Sequence, residues 1–310
     1  MKPVSALEER LDSGEVILLD GGVGTEIERR GVGMDEAAWC GVATRSHPEV
    51  VRTVHEDYIR AGSEVITANT FGTARHVLEA AGLGEEVARI NRDAVRLARE
   101  ARDNAADGAV WVAASMSSLA PLSARGLPEG ERARASYREQ AALLAEAGAD
   151  LIIAEMMTHA ANAELVVSAA LETGLPVWVG FSAEVDRRTG ELLPWKHSNE
   201  GVGSGEFGHT VGAVLGLDGI RAAGIMHSRL GDMRRALEFL RERWRGPTLA
   251  YAESGVWEPP SWQFKGVVSP EDYAGAASEW VDAGTRIIGG CCGIGPEHIR
   301  AVKERMPRTR

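Results

Sequence analysis

The residues best placed to do chemistry are Cys291 and Cys292 in the run Gly289-Gly290-Cys291-Cys292-Gly293. An ordinary disulfide needs Cα atoms about 4.4–6.8 Å apart, whereas neighbours across a trans peptide stand about 3.8 Å apart, so a bond within this pair would be strained. Consecutive side chains of a regular strand also point to opposite faces. Glycines on both sides relax that constraint and let two adjacent sulfurs converge on one target. Zinc suits such a pair. It takes thiolate at about 2.3 Å and imidazole at about 2.0–2.1 Å, and catalytic sites keep three protein ligands with one position open. His227, in Gly224-Ile225-Met226-His227-Ser228, is the candidate third ligand, and Cys40, following Trp39, is its competitor.

Elements that could bring these residues together are visible as eight short runs rich in Val and Ile: 16–20, 64–68, 109–115, 150–155, 176–182, 220–226, 247–253 and 286–290. Near-continuous apolar runs suit parallel strands buried on both faces. The stretches between them carry the 3.6-residue period of amphipathic helices, and several end at glycine: Ala61-Gly62, Ala147-Gly148 and Ala283-Gly284. Eight such units predict an α/β fold, a (β/α)8 TIM barrel forming a single domain over residues 1–310. The last helix begins at Pro296. Turns from helix to strand are short, but the strand-to-helix connections 21–45, 116–130, 183–207 and 253–269 are long. In barrel enzymes those connections form the rim that carries the active site. Trp39, Trp195, Trp257 and Trp262 lie on them, which predicts a lidded pocket. Both Cys291-Cys292 and His227 fall at strand ends on that rim.

The 310 residues include 45 Asp and Glu against 34 Lys and Arg, a net charge of −11, which makes a nucleic-acid backbone a poor partner. No window is apolar enough for a membrane helix, and the start lacks the apolar core of a signal peptide. A cytoplasmic protein with reduced thiols is expected. Gly21-Gly22-Val23-Gly24-Thr25 lacks the spacing of a phosphate loop.

Four ordered motifs, spread over nearly the whole chain, resemble the homocysteine S-methyltransferase family: Leu18-Leu19-Asp20-Gly21-Gly22-Val23-Gly24-Thr25-Glu26, Ile66-Thr67-Ala68-Asn69-Thr70-Phe71, Glu155 after the fourth strand, and the run around Cys291-Cys292. The resemblance implies a Zn2+-dependent barrel that moves a methyl group from a small-molecule donor such as S-methylmethionine, a betaine or methylfolate onto homocysteine sulfur, a step of methionine biosynthesis. It implies substrate-binding roles for Asp20, Gly21, Asn69, Thr70 and Glu155, with Glu155 clamping the ammonium of an amino-acid thiol. The family holds zinc with three cysteines. Cys291 and Cys292 match the last two, and His227 stands where the first is expected. Three thiolates plus a substrate sulfur give a centre of net charge about −2, and Cys2His plus the same sulfur about −1, so the bound thiolate is a weaker nucleophile here.

On this reading the protein needs no catalytic side chain of its own, because zinc activates the acceptor thiol. Trp257, Trp262 and Phe264 could face an onium donor. The partners are a small-molecule thiol and a methyl donor, with no nucleic acid and no membrane, and a homo-oligomer is compatible with the pattern. Three alternatives stay open: a non-catalytic zinc- or thiol-binding barrel, a methyltransferase with another thiol acceptor, and a thiol redox enzyme. The last is disfavoured by the vicinal spacing, since familiar dithiol motifs separate their cysteines by two residues.

Overall fold

The computed structural model describes residues 4–118, 130–195 and 205–306. Parts of two long loops, 119–129 and 196–204, lie outside the described residues. Eight parallel strands form one sheet: β1 (Ile17–Leu18), β2 (Val65–Ala68), β3 (Trp111–Ser117), β4 (Leu151–Met157), β5 (Val177–Phe181), β6 (Ile220–Arg229), β7 (Thr248–Glu253) and β8 (Ile287–Gly290). Their order runs β1-β8-β7-β6-β5-β4-β3-β2. A parallel bridge between Leu19 and Val65 and a hydrogen bond from Glu64 N to Leu18 O bring the two ends of that order together. The result is a (β/α)8 TIM barrel, and each of the eight apolar runs is a strand.

Local chemistry explains where the helices begin and end. Helix Pro48–Ala61 starts at a proline, whose missing N–H costs nothing in a first turn, and stops at Gly62 with φ 112°. Gly148 and Gly284 end their helices with φ 88° and 104°. Ser269 caps helix Pro270–Asp282 by accepting a hydrogen bond from Asp272 N.

The barrel interior is set by the two-residue period of the strands. Ile17 and Leu19, Leu151 and Ile153, Leu249 and Tyr251, and Ile287 share one buried cluster with Trp111 and Trp178. Leu7 and Leu11, from the helix Val4–Asp12, join the same cluster. Small residues make room for large ones between layers. A Cβ at Gly180 would stand 2.2 Å from Met226 Sδ, and one at Gly289 would meet both Asp20 O and the Tyr251 ring. Continuing the period upward puts Glu155 above Ile153, Glu253 above Tyr251 and Cys291 above Ile287 and Gly289. Strand parity therefore delivers two carboxylates and a thiol to the mouth.

Candidate active site at the barrel mouth

His227 reaches the mouth by a different route. The register between β6 and β7 jumps from Met226↔Tyr251 to Ser228↔Ala252, so His227 is the extra residue of a bulge, and its φ is 46°. A bulge re-aims a side chain that regular pleating would send elsewhere. A second bulge lies at the end of β4, where the register jumps from Ala154↔Val179 to Met157↔Phe181 and Met156 has φ 57°. Next to Cys292, Gly293, at φ 81°, passes so close to Ser254 O that a Cβ there would lie 1.8 Å from it.

These devices assemble a buried chain of contacts. Glu155 Oε2 is 2.9 Å from His227 Nε2, His227 Nδ1 is 3.0 Å from Cys291 Sγ, and Cys291 Sγ is 3.7 Å from Cys292 Sγ. The three expected metal ligands are therefore neighbours. Among the described residues, however, no three His, Cys, Asp or Glu side chains close around a point that could hold an ion. Spacing shows how near they come. Two thiolates on one tetrahedral zinc stand roughly 3.8 Å apart, and a thiolate and an imidazole roughly 3.5 Å apart. The sulfur pair has that spacing, while the imidazole lies closer to Cys291 because the two are hydrogen-bonded. The donor set fits a zinc ion once that bond opens.

Burial governs the protons. It pushes the Cys291 thiol well above its ordinary range, an effect to which the Cys292 sulfur adds and which His227 opposes. Burial works against a charge on His227, but Cys291 and Glu155 outweigh it and hold the ring's proton affinity well above the usual range. Glu253, 7% exposed, is raised by burial to about 7, with Trp195 as a hydrogen-bond partner and His227 as a charge neighbour. Sequence reasoning missed Glu253. Its signal was the step of two from Tyr251 at the end of a recognised strand.

An aromatic wall covers the contacts. The Phe71 ring lies 5.3 Å from the His227 ring and the Tyr251 ring 6.4 Å from it. Trp39 packs edge-on against both Phe71 and Trp257, and Trp257 packs against Trp262. Trp257 and Trp262 sit on a hairpin formed by Val256–Glu258 and Ser261–Gln263. Phe264, at 36% exposure, instead faces the guanidinium of Arg29 at 4.6 Å.

The remaining expected site residues are tied into the scaffold. Asp20 accepts hydrogen bonds from Thr67 N at 2.6 Å and Thr67 Oγ1 at 2.9 Å. Asn69 donates to Cys40 O and accepts from the Cys40 thiol at 3.1 Å. Thr70 Oγ1 donates to Ser115 O and accepts from Ser115 N. Gly21 accepts from the Tyr251 hydroxyl, and a Cβ on it would strike Ile294 O at 2.2 Å. Cys40 is thereby bound to Asn69 rather than to the thiol pair.

Comparison with known proteins bears on what this mouth does. Residues 17–306 match the family described as Homocysteine S-methyltransferase. Homocysteine S-methyltransferase YbgG of Bacillus subtilis (strain 168) is 27% identical over 96% of this chain and 97% of its own length. Betaine–homocysteine S-methyltransferase 1 of Danio rerio is 30% identical over 97% of this chain and 76% of its own. The metallated form of the homocysteine methyltransferase MmuM from Escherichia coli superposes with a TM-score of 0.75 at 26% identity, covering 98% of this chain and all of that one. The chain belongs to the homocysteine S-methyltransferase family and is a thiol S-methyltransferase of that kind.

Proposed function

We propose that this methyltransferase is zinc-dependent, that His227, Cys291 and Cys292 hold the ion, and that the acceptor is homocysteine or a closely related thiol. The observation that carries the reading is the pair of sulfurs 3.7 Å apart with the His227 imidazole against one of them, at the mouth of the barrel. Zinc, when bound, lowers the pKa of a ligated thiol, so that thiolate is available at neutral pH.

The rest of the work falls to the chain's own residues. Cys291 must lose the proton that burial favours. His227 contributes a neutral donor where a third thiolate would add negative charge, which lowers the substrate pKa as well as its nucleophilicity. Glu253, also at the mouth, is a carboxyl that an amino-acid ammonium can meet. Phe71, Trp39 and Trp257 exclude water and offer ring faces to a cationic methyl donor. Asp20, Gly21, Asn69 and Thr70 serve substrate from behind, by fixing the strand ends that form the wall. The methyl group passes from donor to acceptor sulfur with the donor's own heteroatom as leaving group, so the chain supplies position rather than a general base. Methylated homocysteine is methionine, which places the reaction in methionine biosynthesis.

The test is to incubate zinc-loaded protein with homocysteine and a panel of sulfonium, betaine and folate methyl donors, and to read methylated products by mass spectrometry. Methionine formed from at least one donor, and lost on metal removal, is the expected result. Zinc without turnover would leave a binding barrel, and turnover with a metal-free protein would remove zinc from the account.

A further inference from the structure

Glu155 and His227 belong to strands that do not pair, since β5 lies between β4 and β6. Their contact at 2.9 Å nevertheless joins two residues only 5% and 9% exposed. The bulge at His227, with φ 46°, turns that ring toward the mouth, and a second bulge, with Met156 at φ 57°, adjoins Glu155. A non-glycine residue in that region is strained and persists where surrounding structure enforces it. Two such departures flank one hydrogen bond.

The bond has a chemical consequence for the imidazole. An ionised carboxylate only accepts, so Nε2 carries the hydrogen, and in the neutral ring the lone pair is left on Nδ1. Nδ1 is the atom that faces Cys291 Sγ at 3.0 Å. The Phe71 ring lies beside the imidazole, with centroids 5.3 Å apart and planes tilted by 36°. A histidine whose second nitrogen donates to a carboxylate has the tautomer, orientation and basicity of a metal ligand.

We infer that Glu155 is a positioning residue for His227: it fixes the ring so that Nδ1 is presented to a metal held with Cys291 and Cys292. This rests on the zinc reading above, and it assigns Glu155 a task other than clamping the substrate ammonium. The task exists only while residue 227 is histidine, because a cysteine there has no second ring nitrogen to be held.

Zinc affinity, measured by chelator competition, separates the possibilities in four proteins: wild type, Glu155→Gln, His227→Cys and the double variant. Glu155→Gln is expected to weaken zinc about 10- to 100-fold in the wild-type background and to change nothing in the His227→Cys background. An equal loss in both backgrounds would mean that Glu155 merely supports the fold, and would overturn the inference. Unchanged zinc affinity with a raised KM for homocysteine would overturn it too, in favour of an ammonium clamp. Glu155→Asp, which keeps the charge but shortens the reach, should show the same background dependence if Gln at 155 prevents folding. If His227→Ala binds zinc as tightly as wild type, the ligand set itself is wrong and the inference falls with it, an outcome read before Glu155 is altered.

Discussion

The two sides of the barrel mouth use buried polar residues in opposite ways. On the side of β1 to β3, the bonds run from side chain to scaffold. Asp20 is held by Thr67, Asn69 by Cys40, Thr70 by Ser115, and Asn91 and Gln140 tie in Thr73 and the Thr70 carbonyl. On the side of β4 to β8, the bonds run between titratable groups, from Glu155 through His227 to Cys291 and Cys292. Both bulged strand ends that carry a residue at positive φ, Met156 and His227, lie on the second side, while on the first side the one such non-glycine among the described residues, Trp39 at φ 49°, lies in the loop after β1 rather than on a strand. A network tied to the scaffold stiffens a wall, whereas groups bonded to one another can exchange those partners for a ligand.

The largest effect that could break this contrast is on metal binding. Replacing Cys291, Cys292 or His227 by alanine should weaken zinc more than about a hundredfold, beyond what loss of an outer partner costs. Metal analysis after dialysis against a weak chelator checks this, and full zinc in all three variants would contradict the assignment. Next comes the locked side. Asn69→Ala and Thr70→Val each leave buried partners unpaired and should cost about 1–3 kcal/mol of stability, measured by urea unfolding, while the KM for the thiol stays unchanged. A raised KM at wild-type stability would move either residue to the ligand-binding side.

A subtler effect concerns Asp20. Burial raises its carboxyl from 3.8 to about 7, against the two bonds from Thr67. Between about pH 4 and pH 7 the folded state holds a proton that the unfolded state has lost, so the stability of the metal-free protein falls as pH rises through this window and levels off above it. Asp20→Asn should make the slope of unfolding free energy against pH less steep there. An unchanged slope would mean that Asp20 is ionised in the fold. The smallest effect belongs to Cys40→Ala. It removes a thiol bonded to Asn69 and should cost about 1 kcal/mol with zinc content unchanged.

The contrast also explains which features could be read from sequence. All eight strands were legible because buried parallel strands are apolar throughout, and the glycine helix ends because positive φ there favours glycine. Cys291 and Cys292 were legible from their flanking glycines. The roles of Asp20, Asn69 and Thr70 were harder to see, since a polar residue at a strand end reads the same whether it bonds to scaffold or to ligand. Bulges leave no pattern in the sequence. Without the one at His227 the two-residue period would turn that side chain away from the mouth, and nothing in the sequence joins it to Glu155, 72 residues earlier. Glu253 went unrecognised because it ends a strand without a motif around it.

The most direct test of the account is zinc X-ray absorption on the wild-type protein before and after adding homocysteine. Two sulfurs at about 2.3 Å and one imidazole nitrogen at about 2.0–2.1 Å are expected first, with a third sulfur added when the thiol binds. A zinc with no sulfur ligands, or a shell that homocysteine leaves unchanged, would contradict it.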